Sequence, residues 1–242
     1  MRTGTDTKLK LVRGGIRNKV PRSKVIDYDV VIASARPLLP SEEPHEYLFE
    51  LKGSIWTTDE GGKRIVSVGT IDACIFQATR ADSAGFSVVD VADSEQALLD
   101  MHCALYDSVN DPSDLRELVS DGCAGMDVLF IRSVQIDSAH RGLRLGQLAV
   151  LRLIEDFGSS CGVVVLQPAP LRHEPVDEAA WDRGVLRLRS YWREIGFEPV
   201  APFAAKERKN VEHSGFDPTV YSVLDLQRHQ ASFETLIQSE ES

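Results

Sequence analysis

The apolar residues of this chain alternate with polar ones through its first third, and the period of the pattern then changes twice. Three stretches, "DYDVVIASA" from Asp27, "HEYLFELKGSIWTT" from His45 and "KRIVSVGTIDACIFQAT" from Lys63, are rich in β-branched and aromatic residues. Each predicts a strand. "DEGG" at Asp59–Gly62 supplies hairpin turn chemistry between the second and the third, so the three should form an antiparallel meander.

From Ser94 the spacing becomes helical, with Ala97, Leu98, Met101 and Leu105 on one face of "SEQALLDMHCALYDSV". "PSDLRELVSDG", from Pro112 to Gly122, opens on a Pro and Ser signal and closes on Gly, and predicts a second helix. The apolar run 128–136 then reads as a strand, Gly146 to Phe157 as a helix, and "GVVVLQ" to Gln167 as another strand. A βαβ crossover of this kind requires parallel neighbours in a sheet covered on both faces, which is why both strands read as continuous apolar runs. "AAWDRGVLRLRSYWREIGF" predicts a helix ending near Gly196, "VYSVLDL" a last strand, and "QASFETLIQSEES" a short terminal helix. The expected fold class is therefore α/β (α+β), a mixed central β-sheet with an N-terminal antiparallel meander and a C-terminal βαβ unit.

Charge divides the chain further. The formal net charge is -10, yet residues 1–24 hold eight basic residues against one acid, Asp6, so that segment is +7 and the remainder -17. With little apolar content, 1–24 predicts a solvated tail, 25–228 one domain, and 229–242 a C-terminal helix or tail. The acidic body argues against a nucleic-acid function for the whole chain, leaving the tail as the one candidate for it, and suits a cationic acceptor better. No uncharged apolar stretch approaches the roughly 20 residues of a membrane span, and the N-terminus lacks a secretory h-region, so no membrane association and a cytoplasmic location are expected.

The four cysteines, Cys74, Cys103, Cys123 and Cys161, form no CxxC pair, which fits buried thiols in a reducing compartment, and no metal site is expected. A cysteine hydrolase lacks support, since no cysteine lies in a nucleophile-elbow motif and His102 points away from its neighbour Cys103.

The chemistry concentrates in the turn between the apolar strand and its helix, "AHRGLRLG". A loop feeding a helix N-terminus presents unpaired amides and the positive end of the macrodipole. Gly142 and Gly146 permit close approach, and Arg141 and Arg144 add donors that can fork onto phosphate oxygens. The turn therefore predicts a phosphate-ester site. Its spacing matches neither GxxxxGK[ST] nor GxGxxG, which excludes a P-loop and a dinucleotide fingerprint.

"VQIDSAHRGLRLGQLAVLRLIEDF", followed by the second apolar strand and "YWREIGF", resembles the GNAT superfamily of N-acetyltransferases over about residues 126–226. That family leads an apolar strand into an R/Q-x-x-G-x-G/A loop, a helix, a parallel strand, and a helix ending in Tyr-x-x-x-Gly-Phe. The resemblance implies that the amides of Arg141, Gly142, Leu143, Arg144, Leu145, Gly146 and the adjoining Gln147 hold the pyrophosphate of an acyl coenzyme A. It implies further that Val134 and Ile136 offer backbone groups to pantetheine, and that Gln167 lies near the thioester. Two positions depart from the family pattern. Arg144 replaces the middle glycine, and Trp192 stands where the family has the tyrosine that protonates the departing thiolate, with Tyr191 beside it. One helical step turns a side chain by about 100°, so the two cannot share one place.

A base must also take a proton from an ammonium acceptor, whose pKa is about 10. Asp90, Glu174 and His173 are the candidates; His140, inside the loop, suits binding better. "QPAPLRHEPVDEAAW" is expected to line the acceptor cleft. The function expected is N-acyl transfer, acetyl being the expected group, directly from acetyl-CoA to an amine, with acyl-CoA and the amine-bearing acceptor as partners and no metal. The alternative is a catalytically degenerate domain of the same fold that binds acyl-CoA as ligand or scaffold while the basic tail recruits a partner. Trp192 and Arg144 favour that alternative; Arg141, Gly142, Gly146 and the Gly196-Phe197 pair favour the enzyme. The acceptor amine and the oligomeric state are not legible.

Overall fold

A computed structural model describes residues 27–34, 43–59, 61–107, 111–115, 127–170, 177–200 and 221–225. The basic tail, the terminal helix expected within 229–242, Cys123 and the pair His173 and Glu174 lie outside the described residues.

The meander forms as its alternation predicts. β1 (Asp27–Ser34), β2 (Leu48–Thr58) and β3 (Arg64–Phe76) pair antiparallel. At the β2–β3 turn, Asp59 Oδ1 accepts the amides of Gly61 and Lys63 at 2.9 Å each, and Gly62 takes φ 75°, a conformation glycine adopts without steric cost.

Between β3 and the next long strand come α1 (Ala78–Ser83), α2 (Val88–Ala92) and α3 (Gln96–Leu105). Only α3 was legible; α1 and α2 are single turns whose apolar residues mimic a strand run. α3 leads into β4 (Tyr106–Asp107), which pairs with β5 (Asp111–Leu115). This corrects the expectation of a helix opening at Pro112. Cross-strand pairing of Tyr106 with Leu115 outweighs a weak local preference, and proline biases the residue before it toward extended backbone.

The second half follows the predicted order. β6 (Val128–Ile136), α4 (Leu145–Phe157) and β7 (Val163–Leu166) make the βαβ unit, followed by α5 (Glu178–Arg193), β8 (Glu198–Pro199) and β9 (Ser222–Asp225). One seven-stranded sheet results, in the order β1-β2-β3-β6-β7-β9-β8, and β6–β7 is its parallel pair. The mixed sheet is of the class the sequence predicts. Among the described residues no helix is long and apolar enough to cross a membrane.

Both sheet faces are covered. Val128 and Phe130 of β6 join Val163 and Val165 of β7 in a core beneath α1–α3, while Leu129, Ile131, Val164 and Leu166 pack beneath α4 and α5. The alternation explains why neither strand tolerates a polar face.

Candidate active site

β7 stays beside β6 only from Val128↔Val163 to Ile131↔Leu166. β6 then continues to Ile136 against β3 alone, with Arg132 as an extra residue between the pairs Ala73↔Ile131 and Asp72↔Ser133. A bulge of this kind bends a strand and increases its twist. Beyond it the two parallel strands part, and a cavity of about 890 Å³ opens between β6, the loop into α4, the end of β7 and one face of α5. Among the described residues no strand pairs with the β7 side of Arg132–Ile136, so a peptide-like ligand could satisfy the backbone groups left there.

At one end of the cavity lies the loop the sequence singled out. Gly142 takes φ 82° and Arg144, the N-cap of α4, takes φ 57°. These two left-handed residues turn the chain so that the α4 N-terminus faces the cavity. The Arg144 side chain makes no cap hydrogen bond, and the amides of Gly142–Gly146 make no hydrogen bond within the described chain. Arg141 is tied to the strand by its Nε, which donates to the Ile136 carbonyl at 3.0 Å. A phosphate ester fits this cradle: free amides, a helix dipole and a fixed arginine all favour an anion.

The two family departures resolve by geometry. Arg144 does not point into the cradle; its Nη2 lies 3.0 Å from Glu194 Oε2 at the end of α5, with both side chains about half exposed. Trp192 is 7% exposed and packs against Phe197, whereas Tyr191 turns its hydroxyl to the first turn of α4 and accepts the Gln147 amide at 3.0 Å. Burial pushes the Tyr191 hydroxyl above its ordinary range; the Gln147 amide and Arg144 pull it down, and Glu194 adds to the rise.

Val134, Ile136, Arg141, Gly142, Arg144, Leu145, Gly146, Gln167 and Tyr191 line the cavity as a group, and His140 joins them. Leu143 and Gln147, expected to face the pyrophosphate, do not line it. Leu143 is half exposed, and the Gln147 amide is occupied by Tyr191. Asp90 stands exposed on α2 and does not line the cavity either, which removes its geometric support as the base.

Sequence reading missed the wall formed by Arg132. Its guanidinium meets Glu50 through two hydrogen bonds, 2.7 and 3.0 Å, and Glu95 at 2.9 Å, with Asp72 at 3.6 Å. The one available signal was a single charge inside the apolar run 128–136; its partners come from β2, β3 and the start of α3, and no local pattern announces them. None of the described cysteines lines the cavity, and burial pushes Cys74 and Cys161 up to about 12, which leaves them neutral thiols rather than nucleophiles.

Arg144→Gly should leave stability unchanged or raise it by up to about 2 kcal/mol. It relieves a left-handed non-glycine residue, worth about 1–2 kcal/mol, and loses an exposed ion pair worth at most about 1 kcal/mol. A thermal melt checks this, and a marked loss would mean that the Glu194 contact matters more than its exposure implies.

No known protein family matches the chain, and no curated protein matches it in sequence. Among solved structures it is similar to the NatC complex bound to Gag peptide and CoA, at 12% identity over 71% of this chain and 70% of that one, with a TM-score of 0.31. It is also similar to Arabidopsis thaliana NAA60 in complex with acetyl-CoA, at 13% identity over 73% of this chain and 77% of that one, with a TM-score of 0.34. Likenesses this loose leave the functional reading to the chain's own geometry.

Proposed function

We propose that this protein is an acyl-CoA-dependent N-acyltransferase that passes an acetyl group directly from acetyl-CoA to an amine. The observation that carries the reading is the parting of β6 from β7 beside a cavity-facing α4 N-terminus whose Gly142–Gly146 amides make no hydrogen bond among the described residues. The amides of Gly142–Gly146 and Arg141 hold the pyrophosphate, and the backbone of Val134 and Ile136, beyond the β6–β7 pairing, receives pantetheine. Gln167, at the end of β7, sits beside the thioester. Acetyl-CoA supplies an acyl group on a good leaving thiol, so the chain's task is to position it against the amine.

In the transfer the amine nitrogen forms the C–N bond, the C–S bond breaks, and the thiolate takes a proton from Tyr191 Oη. That hydroxyl accepts from Gln147, so its own hydrogen is free to be donated. Glu174 remains our proposed base for the acceptor, on sequence grounds. The departures that favoured a non-catalytic coenzyme A module, Trp192 and Arg144, here have a packing partner and an ion-pair partner of their own.

Acetyl-CoA at about 100 times its dissociation constant should stabilise the fold by about 2.7 kcal/mol, read as a thermal shift, and Arg141→Glu should remove most of that shift. Thiol release with a library of amines then tests turnover. No shift at millimolar acetyl-CoA rejects the cofactor assignment; a shift without turnover on any amine favours the binding module.

A further inference from the structure

We propose that Gly146 and Gln147 form the seat of the Tyr191 hydroxyl, so that the first turn of α4 positions the proton donor of the transfer as well as the phosphate. The inference rests on the acyltransferase reading above. Three contacts carry it. The Gln147 amide donates to Tyr191 Oη at 3.0 Å. The Gln147 side chain, 3% exposed, donates through Nε2 to the Tyr191 carbonyl at 2.6 Å and lies 3.4 Å from Glu194 Oε2. A Cβ on Gly146 would stand 3.0 Å from Tyr191 Oη, tighter than ordinary contacts allow. Residue 147 thus grips Tyr191 at both its backbone and its hydroxyl, and residue 146 keeps clear the space the hydroxyl occupies.

The seat lessens a chemical difficulty that burial of the hydroxyl enlarges. A phenol ordinarily ionises near pH 10 and a thiol near about 8.5, so donation from tyrosine to thiolate runs uphill. When the Oη–H bond breaks and the S–H bond forms, the electron pair left on oxygen is held by the Gln147 N–H at the positive end of the α4 dipole. The phenolate recovers its proton from the one released by the acceptor amine, through solvent, so the reaction balances as amine plus thioester giving amide plus thiol. Gly146 and Gln147 are positioning residues in this scheme. The rival role for Gly146, close approach of pyrophosphate, predicts a binding defect instead.

The test compares Gly146→Ala and Gln147→Met, each alone and on Tyr191→Phe, reading kcat, the acetyl-CoA dissociation constant and the melting temperature. Gly146→Ala should lower kcat about tenfold or more, leave acetyl-CoA binding within about twofold, and not lower the melting temperature, since alanine favours a helix. On Tyr191→Phe, which has no oxygen to displace, it should add no further loss in kcat. Gln147→Met, which keeps the amide but loses the side-chain donor, should also lower kcat in wild type and add little on Tyr191→Phe. Losses that multiply in the double variants, or a Gly146→Ala defect confined to acetyl-CoA affinity, overturn the seat while leaving the acyltransferase reading intact. A fully active Tyr191→Phe instead removes the proposed acid itself, and the seat falls with it.

Discussion

Tyr191→Phe should lower turnover by about one to three powers of ten and leave acetyl-CoA affinity nearly unchanged, because the hydroxyl contributes to the transition state more than to ground-state binding. The expectation follows from which face of α5 points at the cavity. Tyr191 and Trp192 both line it, but it is the Tyr191 hydroxyl that bonds the α4 N-terminus, while the Trp192 indole packs in the core against Phe197. Burial raises the hydroxyl above its ordinary range, so Tyr191 is neutral and able to donate throughout the neutral range. A fall in kcat from loss of that proton therefore belongs above about pH 10. The steady-state rates of wild type and Tyr191→Phe between pH 7 and 9 check both statements. Equal rates would eliminate Tyr191 as the acid, and a wild-type kcat that already falls across this range would require another ionising group.

How much of this was legible depended on whether the deciding contact is local. β6, α4 and β7 follow from periods and turn signals contained in each segment, and their observed bounds lie within one residue of those read from "VLFIRSVQI", "GQLAVLRLIEDF" and "GVVVLQ". The loop that we propose holds an anion was legible for the same reason: it needs a helix start, two glycines and arginines in sequence. α1 and α2 were not, because Val88, Val91 and Ala92 are buried at spacings too short to show a period. β5 was misread because it pairs with Tyr106 and Asp107, a cross-strand contact that local propensity does not see. The Arg132 cluster joins side chains 82 and 37 residues apart in sequence, set by strand register and by where α3 begins.

The choice between Tyr191 and Trp192 lay between these extremes. The motif pointed to Trp192; both side chains line the cavity, and only the docking of α5 shows that the Tyr191 hydroxyl is the one bonded to the α4 N-terminus. Gly146 was legible as a glycine with a purpose, but its nearest neighbour is a hydroxyl 45 residues further on, not a phosphate oxygen.

Trp192→Ala should cost about 3–5 kcal/mol of folding stability, the range for emptying a buried aromatic site, and should be visible as an earlier urea transition. Trp192 is the one residue of α5 that is fully buried, so a single indole carries much of the docking of that helix against the sheet. Its ring meets Phe197 edge-on at 6.1 Å and Tyr191 at 4.9 Å between centroids. Gly196, at φ 97°, brings the chain back so that the Phe197 amide reaches the Trp192 carbonyl at 3.3 Å. Phe197 is itself 1% exposed, and the cavity left by the indole would be bounded by rigid strands that cannot close over it. Tyr191→Phe removes only one hydrogen bond, about 1 kcal/mol, so the adjacent substitutions should separate cleanly, one in rate and the other in stability. A Trp192→Ala protein as stable as wild type would mean that α5 docks through another contact, and the register that turns Tyr191 to the cavity would lose its support.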